Sequence, residues 1–226
     1  MGAGRLGARR GLSAPAGRLG ILGGTFDPIH LGHLALAEEV RETLDLARVL
    51  FVPAGDPWQK VGISVTPGAV RYALLERAIV DNPGFAASRL EIDRPGPTYT
   101  AETLADIASA ERAAGRDPDL WFILSAEALA GLPTWRDPER VLALARLAVV
   151  PRADDAEDLA AAADFPGEGD RALFLPGPRL AISGTLIRAR VAAGRSIRYL
   201  VPDAVAAGIR EYALYQRSAA RAAPEP

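Results

Sequence analysis

GGTFDPIHLGHL, residues 23–34, holds both histidines of the chain, His30 and His33, three residues apart and directly behind a pair of glycines. The stretch leading into it, RLGILGG at 18–24, reads as a short apolar strand. The stretch leading out, LGHLALAEEVRETLDL at 31–46, places Leu36, Val40 and Leu44 four residues apart with Glu38, Glu42 and Asp45 on the other side. That spacing predicts an amphipathic helix. Gly23 and Gly24 let the backbone turn sharply and let a ligand approach the main chain, where the amides of Thr25 and Phe26 can donate. The helix start adds unpaired amides and its positive dipole end, so the turn is expected to bind an anion. His30 and His33 project from one face into that space, each able to donate a hydrogen bond to a phosphate oxygen or to carry a positive charge.

Working outward, the same alternation continues. RVLFVPA at 48–54 is a buried strand, and Thr66-Pro67 is a helix start with a capping hydroxyl and a proline at the first turn; that helix should run to Asn82-Pro83-Gly84. FAASRLEID at 85–93 is expected as a strand, TAETLADIASAERAAG at 100–115 as a helix, and DLWFILS at 119–125 as a very apolar central strand. Helices are expected over SAEALAGL at 125–132, DPERVLALA at 137–145 and DAEDLAAAA at 155–163, with strands RLAVVP at 146–151 and ALFLPG at 172–177 between and after them. SGTLIRARVAAG from Ser183 and PDAVAAGIREYALY from Pro202 read as two closing helices. Strands alternating with helices predict an α/β fold: a doubly wound, mostly parallel sheet with helices on both faces. Ligands in such sheets bind at the carboxyl ends of the strands, where strand order reverses, and the histidine stretch follows the first strand.

The 226 residues, 49% of them hydrophobic, suffice for one sizeable core, and a single domain over 18–217 is expected between disordered tails at 1–17 and 218–226. A formal net charge of −2 gives no basic field for a nucleic-acid polymer. The absence of cysteine removes disulfides, thiolate catalysis and Cys-ligated zinc. No apolar run has the length of a membrane span, and the Arg-rich, acid-free start lacks the apolar segment of a secretory signal, so a cytoplasmic enzyme is expected. Lys60 is the only lysine.

Gly20, Gly23 and Gly24 do not make G-x-G-x-x-G, and Lys60 after Gln59 is not the lysine of a Walker A loop. Asp27, His30 and His33 also spell a metal-like D-x-x-H-x-x-H, but a helix N-terminus favours anions over cations and no further histidine or cysteine can complete the ligand set, so no metal ligand is assigned.

The stretch resembles the G-x-F-D-P-x-H-x-G-H signature of the nucleotidyltransferase superfamily, whose members adenylate or cytidylate small phosphorylated molecules. ISGTLIR at 182–188 resembles the I-S-S-T-x-I-R motif of the mononucleotide adenylyltransferases. There Ser183 suits a helix N-cap, the helix start offers amides at Gly184, and Thr185 and Arg188 add a hydroxyl and a fixed cation toward phosphates. The likeness runs from Leu19 to about Arg217 and is strongest to the bacterial nicotinate mononucleotide adenylyltransferase family. GPTYTAETL at 96–104 and LPTWRDP at 132–138 are similar to the family's segments around the nicotinate ring.

The resemblance implies a Rossmann-like nucleotidyltransferase fold and transfer of the adenylyl group of ATP to nicotinate mononucleotide, with Mg²⁺ entering on the ATP. It implies His30, His33, Lys60 and Arg188 as the groups that hold phosphates and developing charge, beside Gly23, Gly24, Thr25, Phe26, Ser183, Gly184 and Thr185. It also implies Tyr99, Thr100 and Trp135 around the pyridine ring and Glu127 toward the ATP ribose. Three positions depart from the pattern: Gln59 stands before Lys60 where many members have histidine, Gly184 replaces the second serine, and Ser125-Ala126-Glu127 replaces Gly-x-Asp. The alternatives are an adenylyltransferase preferring nicotinamide mononucleotide or phosphopantetheine, and a catalytically silent nucleotide-binding sensor. A homo-oligomer is compatible with the sequence.

Overall fold

In the computed structural model, residues 17–55, 65–150, 171–178 and 180–216 are described. The Trp58-Gln59-Lys60 segment, the helix expected over 155–163 and the tails at 1–16 and 217–226 lie outside them. Six strands form one sheet: β1 (Arg18–Gly24), β2 (Arg48–Pro53), β3 (Phe85–Ala87), β4 (Asp119–Leu124), β5 (Arg146–Val149) and β6 (Ala172–Phe174). They lie in the order β3-β2-β1-β4-β5-β6 and every neighbouring pair is parallel, with Leu22 opposite Phe51 on one side and Ile123 on the other. This is the strand order of the Rossmann fold, with its reversal between β1 and β4.

Residues alternate across the sheet as the pleat demands. Leu22, Val49, Phe51, Trp121 and Ile123 pack under α1 (Leu31–Thr43), α2 (Gly68–Ile79), α6 (Gly184–Ala192) and α7 (Asp203–Glu211). Leu19, Ile21, Leu120, Phe122 and Leu147 pack under α3 (Thr100–Ala113), α4 (Ala126–Gly131) and α5 (Pro138–Leu144) on the opposite face. Burial of each such side chain contributes about 1.5–3 kcal/mol, and the two cores hold the helices to the sheet.

Several boundaries differ from expectation for local reasons. The strand at 85–93 stops at Ala87, because the Ser88 hydroxyl accepts the Leu90 amide and the backbone turns. The first helix stops at Thr43: Asp45 takes φ 51°, and the Leu46 amide returns to the Arg41 carbonyl, a Schellman closure that drops Leu46 into the core. The last helix ends at Glu211 rather than Tyr215 by the same device, with Ala213 at φ 50° and the Leu214 amide on Ile209. Thr66 does not cap α2; Pro67 is the N-cap residue and Thr66 turns its amide elsewhere.

Candidate active site

The carboxyl ends of β1 and β4 open into a cleft of about 780 Å³ whose lining includes Gly23, Gly24, Thr25, Phe26, His30, His33, Tyr99, Thr100, Trp135, Ser183, Gly184, Thr185 and Arg188. The fold thus gathers at one cleft nearly every candidate read from the sequence. Glu127 is the exception: it stands exposed on the first turn of α4 and outside the lining, whereas Ser125 and Ala128 face in. Lys60 lies outside the described residues.

The glycines act differently from expectation. Gly23 and Gly24 are still in β1, paired with Val52 and Pro53. The turn comes at Phe26, whose φ is 49°. Gly24 supplies room instead: a Cβ there would sit 3.1 Å from the Phe26 ring. That ring is 2% exposed and meets His33 edge-on at 5.0 Å. His33 stacks on His30 with centroids 3.6 Å apart and planes at 18°. The imidazoles therefore form one unit backed by Phe26, with His30 as the N-cap residue of α1.

The amides at the start of α1 are less available than the sequence suggested, since Leu31 donates to the Leu200 carbonyl and His33 to His30. The second helix start compensates. Ser183 caps α6 by accepting the Leu186 amide at 3.1 Å, as its sequence position implied. Arg188 Nη1 donates to the Asp27 carbonyl at 2.7 Å and Nη2 to Thr185 Oγ1 at 3.2 Å. A Cβ at Gly184 would lie 2.8 Å from that Asp27 carbonyl oxygen, so the glycine lets α6 abut the loop before α1. The two helix N-termini and a fixed guanidinium thereby converge on one space, which favours a multiply charged anion.

Asp27 is buried and fastened to distant parts of the chain. Its 6% exposed carboxylate accepts the Tyr215 hydroxyl at 2.6 Å and the Thr66 amide at 3.3 Å. Both carboxylate oxygens of the D-x-x-H-x-x-H aspartate are engaged by these donors, and among the described residues there is no group of three or more His, Asp and Glu that could hold a metal ion. Burial, followed by the bond to Asp27, pushes the Tyr215 phenol above its ordinary range. Sequence reasoning missed Tyr215 and the fully buried Arg71, because both act through partners distant in the chain.

At the other end of the cleft, Glu91 accepts the hydroxyls of Thr98 at 2.9 Å and Thr103 at 2.7 Å, fixing the segment that carries Tyr99 and Thr100. Arg136 stacks on Tyr99 at 4.4 Å, and Trp135 is half-buried, edge-to-face with Phe122 at 6.0 Å. These rings make an aromatic wall suited to a flat heterocycle.

The chain matches the cytidylyltransferase-like family over residues 21–190. A relative from Roseiflexus sp. (strain RS-1), named a probable nicotinate-nucleotide adenylyltransferase, is 51% identical over 205 residues, covering 90% of this chain and 99% of the relative. A like-named relative from Thermomicrobium roseum is 45% identical over 200 residues, 88% of this chain and 92% of its own length. The solved structure of Plasmodium falciparum nicotinic acid mononucleotide adenylyltransferase complexed with NaAD matches with a TM-score of 0.73 at 18% identity, over 88% of this chain and 97% of that one. That likeness establishes the shared fold, and the sequence relatives the kinship. With a signature at each of the two helix starts that meet in its cleft, the chain belongs to the nicotinate-nucleotide adenylyltransferase family of cytidylyltransferase-like proteins.

Proposed function

We propose that this protein transfers the adenylyl group of ATP to nicotinate mononucleotide, forming deamido-NAD and releasing pyrophosphate, a step of NAD biosynthesis. The observation that carries the reading is the meeting of the α1 and α6 starts over the stacked His30–His33 pair, with Arg188 bonded across to Asp27. The 5′-phosphate of the mononucleotide is already an anion, so its oxygen attacks the α-phosphorus of ATP without a general base. The bond to the β-phosphate oxygen breaks, and pyrophosphate leaves. What the protein supplies is position and charge stabilisation. His30, His33 and Arg188 hold the triphosphate and the charge that grows on the leaving group, with Lys60 as a further cation. The amides of Thr25, Phe26, Gly184 and Thr185 add neutral donors. The metal arrives as part of MgATP. Trp135 and Tyr99 pack the pyridine, and Thr100 meets its carboxylate. The proposal includes a cytoplasmic setting, and no polymeric or membrane partner.

The test is pyrophosphate release from ATP and nicotinate mononucleotide by the parent chain and by His33→Ala. The variant is expected to fold normally and lose roughly two orders of magnitude in turnover, the scale set by removing a charge-stabilising donor. Near-parent turnover in a folded variant would remove His33 from the reaction.

A further inference from the structure

Arg71, on α2, is 1% exposed, and the other largest fully buried side chains are apolar. The hydrogen bonds of its guanidinium run to main-chain carbonyls: Nε to Thr66 at 2.8 Å, Nη1 to Thr25 at 2.6 Å, and Nη2 to Ala54 at 2.6 Å and Gly55 at 3.2 Å. A buried guanidinium is a costly way to hold loops together unless its planar fork is needed to fix several directions at once. Burial pushes its pKa down, opposed by the nearby Asp27 charge, yet a guanidinium remains protonated.

The bond to Thr25 has a consequence in the cleft. The Thr25–Phe26 peptide is trans, so its carbonyl and its N–H point in opposite directions. With the carbonyl held by Arg71, the Phe26 N–H points the opposite way, and both Thr25 and Phe26 line the cleft. Phe26 itself sits at φ 49°, a region disfavoured for a residue with a Cβ and kept only where the surroundings over-determine it. Arg71 provides that constraint from one side of the residue. From the other, Thr66 gives its carbonyl to Arg71 and its amide to the Asp27 carboxylate. The Phe26 ring then meets His33, which stacks on His30.

We propose that Arg71 is a positioning residue for the reaction: by gripping the Thr25 carbonyl it sets the left-handed turn at Phe26, which aims one backbone donor into the cleft and seats the imidazole pair. The inference rests on the adenylyl-transfer reading of the site.

The experiment uses Arg71→Lys in the full chain, which keeps a charge and loses the fork. Turnover should fall by about 100-fold, the scale of a small misplacement of reacting groups, while KM for ATP and nicotinate mononucleotide stays near the parent value. The chain has only two histidines, so the imidazole Cε1–H NMR signals report the pair directly, and both should shift. Val141→Ala, buried on α5 across the sheet, is the control: it should lower Tm and leave turnover and both signals unchanged.

Parent turnover in Arg71→Lys overturns the proposal, as does a lowered Tm with unmoved histidine signals. Should Arg71→Lys fail to fold, Phe26→Leu reads the same path, and parent behaviour there overturns it equally. If the parent chain releases no pyrophosphate, the reaction is removed and the histidine signals alone decide for or against the relay. If the parent is active and the variants match it, the relay falls and the reaction stands.

Discussion

The Tyr215 hydroxyl donates to the Asp27 carboxylate at 2.6 Å, joining two residues 188 positions apart. The bond exists because α7 stops at Glu211 and the left-handed Ala213 throws the following residues back toward the loop before α1. In the unfolded chain the phenol loses its proton near its ordinary value of 10.0; in the folded chain it keeps it to higher pH. Above that value the folded state binds more protons than the unfolded state, so stability falls as pH rises. Tyr215→Phe is expected to cost about 1–3 kcal/mol at neutral pH by removing a donor from a buried carboxylate. Thermal melts through the alkaline range should then show the gap between parent and variant narrowing above that pKa. A constant gap would show that the phenol titrates alike in both states.

Gly208 lies where α7 crosses α2, and a Cβ there would run into Leu74 Cδ2, on a side chain that is fully buried. Gly208→Ala gains about 1 kcal/mol of helix propensity and loses about 1–3 kcal/mol to overpacking. The expected net result is a lower Tm with unchanged turnover per folded molecule. A raised Tm would show that Leu74 can repack.

The aromatic wall and the α3 start lead to a substrate preference. In the proposed placement, the Thr100 hydroxyl and nearby amides meet a carboxylate, whereas an amide would face them with its own NH₂, a mismatch that discriminates by about 10² or more. kcat/KM for nicotinate mononucleotide should exceed that for nicotinamide mononucleotide, and Trp135→Ala should weaken use of both. Equal efficiency for acid and amide would remove the nicotinate assignment and leave adenylyl transfer in place.

Much of this site was legible because its parts are local words in the chain. Gly-Gly before His-x-x-His, and a serine before Gly-Thr at a helix start, each carry their geometry within a few residues. The alternation of apolar runs gave the parallel sheet for the same reason, since the pleat and the helical turn repeat over short spans. What stayed hidden depends on distant partners. Nothing around Arg71 announces the carbonyls of Thr25, Ala54 and Gly55, and nothing around Tyr215 announces Asp27. The sharp turn was expected at Gly23 and Gly24, because glycine bends most freely, yet the left-handed residue is Phe26, under outside constraint. Likewise an alanine at 213 gave no sign that the last helix would end there.

Asp27 carries Arg188 on its carbonyl and Tyr215 on its carboxylate, while Leu31 draws its partner from Leu200. During synthesis, when amino-terminal segments emerge and begin to order first, a ribosome-bound chain that has already made all six described strands still lacks each of these fastenings. The earliest-made loop of the cleft therefore waits on the last-made helices for these fastenings, and a nascent chain stalled before α6 would carry both histidines without them.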